Sequence, residues 1–471
     1  MNAAEVVQVY YRDALADAVG PEHGLAPAEL DALAPRIADI VRRIEQERKA
    51  GKRRYRDLPR DAAMLANVQR AVARHRPNCR NLVVLGIGGS ALGNIALHTA
   101  LNPPTCNLLP DDRRPGPRLF VLDNVDPVLV GSTLDLIEPD LAATCFNVIS
   151  KSGETAETAA QLLVVLDLLE RRLEPAATRE RLVVTTDPAG GALRKLAAER
   201  RYDTLPVPDG VGGRFSVLSP VGLFSAGMCG IDIERVLAGA AAMNEPVSRD
   251  SLRENPAALL AAIHYRLYER GKRLHVMFAY AQQLRDLADW FRQLWAESLG
   301  KRVSLDGREV FAGPTPLKAL GTTDQHSQVQ LYREGPNDKV FTFLVAERFD
   351  RDVTIPAALP GVETFAYLGG ASMSRLIAGE QAATQLALVE SRRPCLQVRF
   401  PRIGPEAVGS FFYLYEAATS IMGLLLNVDA YDQPAVQLGK DYTYALMGKT
   451  GHERTAAALN ARLRIDPAYL V

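Results

Sequence analysis

From residue 81 onward, short apolar runs recur along the chain, each followed by a polar or glycine-bearing loop and then by apolar residues at helical spacing. The runs at 82–85, 119–122, 146–149, 182–184 and near 204–207 read as strands. They are apolar at successive positions rather than at alternate ones, the pattern of a parallel sheet covered by helices on both faces. A second series follows, with strands expected at 275–278, 340–345, 362–368 and 396–400 and helices at 284–299, 371–389 and 406–426. The first eighty residues read as helical, with Leu30, Leu33, Ile37, Ile40 and Val41 on one face. A closing helix is expected within 441–470. The fold class is therefore α/β, two units that are each a parallel sheet between helices. The domains expected are a helical segment at 1–80, units at 81–230 and 231–430, and a C-terminal segment at 431–471. No residue-level repeat relates the two units.

Composition narrows the class. A chain of 471 residues, 47% apolar and 23% charged, is globular and large enough for two or three domains. Lysine plus arginine equal aspartate plus glutamate at 55 each, which argues against a nucleic-acid surface. The basic run at 48–56 reads as a solvated bend. Five scattered cysteines without a C-x-x-C indicate neither a disulfide framework nor a zinc site. The N-terminus lacks a signal-peptide pattern, and no apolar run approaches the ~18 residues of a membrane span. A cytoplasmic protein with no membrane partner is expected.

Six stretches carry candidate chemistry. Residues 147–158, N-V-I-S-K-S-G-E-T-A-E-T, pass from a strand through hydroxyls, one lysine and a glycine into a helix. A helix start offers free N–H groups and the positive end of the dipole, so this junction can hold an anion. A capped helix after a solvated loop is the structural alternative. Residues 86–91, G-I-G-G-S-A, satisfy a dinucleotide fingerprint, but the acidic residue that should follow is badly placed, Asp123 lying 37 positions on. Gly212 and Gly213 precede Arg214, where backbone can approach a ligand and a permanent cation can reach it. Glu297 shares a helix face with Trp290 and Leu294, which would partly desolvate a general base. A Glu297–Lys301 pair at i,i+4 is the alternative. His326 lies in a dense polar turn and is a candidate proton carrier, or a helix-start residue beside a Thr322-x-x-Gln325 capping box. Lys440 follows a glycine in Q-P-A-V-Q-L-G-K and alone reads as surface.

In this order the six stretches resemble the glucose-6-phosphate isomerase (phosphoglucose isomerase) family: G-I-G-G-S-A-L-G from Gly86, S-K-S-G-E-T-A-E-T from Ser150, G-G-R-F-S-V-L-S from Gly212, Q-L-W-A-E-S-L-G-K from Gln293, D-Q-H-S-Q from Asp324 and D-Q-P-A-V-Q-L-G-K from Asp432. The resemblance implies two sugar-isomerase (SIS-type) domains, usually in a homodimer. It also implies interconversion of glucose 6-phosphate and fructose 6-phosphate with no metal and no cofactor. It places the phosphate grip on Ser150, Lys151, Ser152 and Thr155, with Gly89 and Ser90 facing the substrate and Gln433 beside it. The catalytic base falls on Glu297, the arginine near the reacting carbons on Arg214, and ring opening on Lys440 and on His326, the histidine reaching the site of the partner subunit. Three positions depart from the family pattern. Glu154 stands where a threonine is usual; either it faces away from the phosphate or the loop is altered. Ala435 to Gln437 replace G-V-E, and Asp324 replaces a glycine. Three alternatives stay open: a bifunctional phosphoglucose/phosphomannose isomerase, a non-catalytic sugar-phosphate regulator, and a dinucleotide-dependent oxidoreductase.

Overall fold

The computed structural model describes residues 5–357 and 359–471. Its strands are β1 (Gln8–Tyr10), β2 (Asn81–Leu85), β3 (Arg118–Leu122), β4 (Thr144–Ser150), β5 (Leu182–Thr186), β6 (Asp203–Pro206), β7 (Leu274–Ala279), β8 (Lys301–Val303), β9 (Glu309–Ala312), β10 (Thr315–Leu320), β11 (Lys339–Ala346) and β12 (Cys395–Phe400). One sheet runs β3-β2-β4-β5-β6 and is parallel throughout. The other runs β1-β12-β11-β7-β10, parallel except for β1 at its edge. A short antiparallel hairpin of β8 and β9 stands apart.

The two sheets share one topology. In the first, β3 lies on one side of β2, and β4 and β5 follow on the other. In the second, β10 lies on one side of β7, and β11 and β12 follow on the other. Each sheet therefore has a point, between β2 and β4 or between β7 and β11, where successive connections leave in opposite directions. Crevices form beyond the strand ends at such points. In the first sheet, the pairings of Leu85 with Val148 and of Asn81 with Thr144 bring the loops after β2 and β4 out side by side.

Strands β2, β4 and β5 are buried at every position, which is why they stand out as continuous apolar runs. The expected strand at 362–368 is instead a short 3-10 turn, Glu363–Leu368, with Phe365 53% and Tyr367 80% exposed. The place in the sheet belongs to β10. The N-terminal segment is helical apart from β1, whose three residues pair with β12. The closing helix is two helices, Gln437–Leu446 and Glu453–Arg462, parted by Gly448 and Gly451 at positive φ.

The helix Pro405–Leu425 runs through the core, with nineteen of its 21 residues buried. It is long and apolar enough to cross a bilayer, but 94% of its apolar window is packed inside the protein. Against the helix Ile233–Val247 it closes to backbone contact. A Cβ on Gly239 would lie 2.0 Å from the Glu406 carbonyl oxygen, and one on Gly409 would lie 1.9 Å from that of Val236. Only glycine fits at either crossing. Burial pushes the carboxyl of Glu416, on the same helix, well above the usual carboxylate range.

Candidate active site

The centre of the site is a buried arginine. Arg214 sits in the turn Gly213–Phe215 with its side chain only 5% exposed. Its Nε donates to the Ser298 hydroxyl at 3.0 Å, and Nη1 donates to Glu297 Oε2 at 2.8 Å and to Gln433 Oε1 at 2.9 Å. Nη2 donates to the carbonyls of Ala430 and Asp432, each at 3.1 Å. A guanidinium spent on five acceptors is fixed in direction, which is what a rigid cation aimed at developing charge requires. The turn carrying it is pressed against the loop after β2. A Cβ on Gly89 would lie 2.4 Å from the Gly213 carbonyl, and one on Gly88 would lie 2.8 Å from the Gln293 side chain. The ends of that loop are held by a bond from the Asn94 side chain to the Ser90 carbonyl at 2.9 Å. Protein atoms thus crowd the glycines that a dinucleotide pyrophosphate would need to approach.

Glu297 is in the last turn of the helix Arg285–Leu299. Its side chain is 36% exposed, with Oε2 on Arg214 and Oε1 3.5 Å from the Gln293 amide. The carboxylate is therefore oriented by a cation rather than simply desolvated. The i,i+4 neighbour Lys301 does not pair with it, and its Nζ donates instead to the main-chain carbonyl of Glu297 at 2.6 Å.

The loop after β4 forms the second part. The Ser150 hydroxyl meets that of Thr155 at 2.9 Å and accepts from the Gly153 N–H at 3.1 Å. The Ser152 hydroxyl accepts from the Glu154 N–H at 3.3 Å. Gly153 has φ +68°, the left-handed turn that aims the loop back over the helix Ala156–Arg172. No side chain caps that helix, so its first-turn N–H groups face outward. The Lys151 ammonium donates to the Val211 carbonyl at 2.7 Å, tying the loop to the segment that leads into Arg214.

A cleft of about 500 Å³ opens over this loop, lined by Ser152, Thr155, Glu157, Lys440 and Tyr444 among others. Glu154 is also among the lining residues and is exposed, with the Tyr444 hydroxyl donating to its main-chain carbonyl at 3.4 Å. The structure brings together Arg214, Glu297 and Gln433 by direct bonds, Gly89 and Ser90 by contact with their turn, and Ser152, Thr155 and Lys440 around one cleft.

His326 stands apart. It ends the short turn Thr323–His326 and is exposed, and no hydrogen bond among the described residues joins it to Arg214, Glu297 or Lys440. The capping box considered there does not form, because the Gln325 side chain accepts from the Tyr280 hydroxyl at 2.8 Å. Asp324 shapes the turn. Partial burial works against its charge, yet bonds from the Leu320 N–H and the Ser327 hydroxyl hold its carboxyl below the usual range. Three participants escaped sequence reasoning. Gln293 is marked only by its i,i+4 spacing from Glu297, Ser298 only by adjacency, and Glu157 only by its place in the first helical turn.

Twinned parallel sheets, a hydroxyl-rich helix start and a fixed Arg–Glu pair belong here to a chain whose relatives are aldose–ketose isomerases of a sugar phosphate. The same fold recurs in the crystal structure of a glucose-6-phosphate isomerase from Chlamydia trachomatis, with a TM-score of 0.78 over 93% of this chain and 90% of that one at 22% identity. The chain belongs to the phosphoglucose isomerase family, whose sequence profile matches residues 72–462. A glucose-6-phosphate isomerase of Carboxydothermus hydrogenoformans is 46% identical over 448 residues, 95% of this chain and 96% of that one. One from Rubrobacter xylanophilus is 43% identical over 433 residues, 92% of this chain and 96% of that one. A hypothetical protein from Thermus thermophilus matches in structure with a TM-score of 0.83 at 35% identity, over 94% of this chain and all of that one.

Proposed function

We propose that the protein interconverts glucose 6-phosphate and fructose 6-phosphate through a cis-enediolate. The observation that carries the reading is the 2.8 Å contact between Arg214 and Glu297, a carboxylate held against a cation that four further acceptors fix in place. Glu297 takes the proton from C2 of the open-chain aldose and returns it at C1, while a proton passes from O2 to O1. The negative charge that builds on those oxygens lies against Arg214. Ser150, Ser152, Thr155 and the free N–H groups behind them hold the 6-phosphate, with Lys151 adding charge. Gly89, Ser90 and Gln433 bound the sugar. Lys440 and His326 serve ring opening, and His326 acts in the site of a second copy; its exposure, on a turn separate from the Arg214 centre, supports that placement. The protein then works as a homodimer in the cytoplasm, using no metal or cofactor.

Remote binding of the phosphate supplies orientation to the reacting carbons. The test is a coupled assay of fructose 6-phosphate formed from glucose 6-phosphate and, separately, from mannose 6-phosphate. Turnover of the first sugar alone is expected. Turnover of both would make the enzyme bifunctional, and turnover of neither would leave a binding protein.

A further inference from the structure

Lys301 opens β8, directly after the helix that carries Glu297, and its side chain is 5% exposed. Its Nζ donates to the carbonyls of Glu297 at 2.6 Å and Ser298 at 3.0 Å, and lies 3.6 Å from the Asp432 carboxylate. A cation on the last carbonyls of a helix satisfies acceptors that have no partner within it and answers the negative end of its dipole. The second arm of the contact has a different consequence. Asp432 lies in the segment 430–433, whose carbonyls and Gln433 side chain also hold Arg214. Arg214 itself grips the side chains of Glu297 and Ser298. Two cations therefore join the same two pieces of chain, Arg214 through side chains of the helix end and Lys301 through its main chain.

We propose that Lys301 is a positioning residue of the isomerase reaction, fixing the helix end that bears Glu297 against the segment 430–433 so that carboxylate and guanidinium meet C1 and C2 at a set separation. The proposal rests on the reading of Glu297 as the base. The geometry separates two jobs. Arg214 has its guanidinium beside the base, where charge develops. Lys301 spends its ammonium on main-chain carbonyls and Asp432, and acts only through Glu297. The charged groups facing it are Asp432 and Asp429, which favour the ammonium, and Arg214, which opposes it. Burial first, and Arg214 second, lower its pKa from the ordinary lysine value.

The experiment compares Lys301→Met, Lys301→Arg and Glu297→Gln in the full-length protein, measuring kcat and KM with both sugar phosphates and thermal melting for each. Lys301→Met is expected to lower kcat on the order of 10- to 100-fold with KM nearly unchanged, because a misplaced base costs rate rather than phosphate affinity. Lys301→Arg is expected to recover most of that kcat, since its fork reaches the same carbonyls. A folded Lys301→Met with wild-type kcat overturns the proposal. So does a loss shared equally between kcat and KM that arginine does not rescue, the mark of general damage. Glu297→Gln keeps the two readings apart. If it turns over normally, the base is misassigned; if it is dead while Lys301→Met is normal, only the positioning role falls. Should Lys301→Met fail to fold, Asp432→Asn removes the ion-pair arm alone. A several-fold lower kcat at constant KM then supports the proposal, and an unchanged kcat overturns it.

Discussion

Four parallel strands of each sheet share one topology, and the two sheets differ in the loops at their crevices. Beyond β2 and β4 the loops are short, rich in glycine and hydroxyls, and leave a helix start uncapped over an open cleft. Beyond β7 and β11 the equivalent place is a cavity of about 380 Å³ lined by Phe349, Val353, Met373, Leu376 and Ile377. Among its polar groups, Asp352 and Ser374 are bonded to each other. Ser372 caps the helix Met373–Glu390, and Asp352 accepts from the N–H groups of Val353 and Ser374. The second unit instead contributes from the far end of a helix, where Glu297 sits in the last turn. A shared scaffold offers two crevices, and the loop residues decide which one can take a phosphate.

Four variants probe that division, from the largest expected effect to the smallest. Glu297→Gln removes the proposed base, carried by the second unit, and is expected to cost about 10³-fold or more in kcat, read by coupled assay. Near-normal turnover would falsify the division at its centre. Arg214→Lys keeps the charge but loses the fork and most of its five bonds, and a fall of about 10²-fold in kcat is expected. Ser152→Ala with Thr155→Ala removes hydroxyls from the first crevice. Here KM for the sugar phosphates is expected to rise about 10-fold, and an unchanged KM would mean that the phosphate binds elsewhere. Arg351→Ala takes the one arginine out of the lining of the second crevice and is expected to shift KM less than about twofold. A rise matching that of the Ser152 and Thr155 variants would show both crevices binding substrate.

The central strands were legible because they are covered on both faces, so burial writes an unbroken apolar run. The two edge strands of the second sheet, β10 and β1, lack that signature. In β10, Pro316 and Lys318 interrupt the pattern, and Thr315 and Lys318 are exposed. β1 is only three residues long and borrows its partner from β12. The segment 362–368 misled for the reverse reason: it is apolar in composition yet exposed, and apolar content alone does not distinguish a buried strand from a surface turn. In the site, each stretch could be found one at a time, but not the bonds between them. Nothing local to Glu297 announces an arginine 83 positions earlier. The i,i+4 spacing pointed to Lys301 correctly and named the wrong acceptor, since spacing places a side chain without saying whether it reaches a carboxylate or a carbonyl. That Glu154 shares a cleft with Lys440 and Tyr444 was equally hidden, because those residues lie nearly 300 positions further along the chain.

The crossing of Gly239 and Gly409 sets the order in which the molecule can be made. The helices Ile233–Val247, Pro256–Glu269 and Arg285–Leu299 all rest on Pro405–Leu425, which leaves the ribosome after them. Until it arrives, the faces they turn toward it stay uncovered, and the Arg214 turn lacks the 430–433 segment that fixes it. The first sheet can assemble during synthesis from contacts near in sequence, whereas the catalytic centre must wait for nearly the whole chain. During that interval the nascent chain carries exposed apolar surface, which makes it a natural client for chaperones. A chain released before Pro405 would hold a formed phosphate loop and no assembled base.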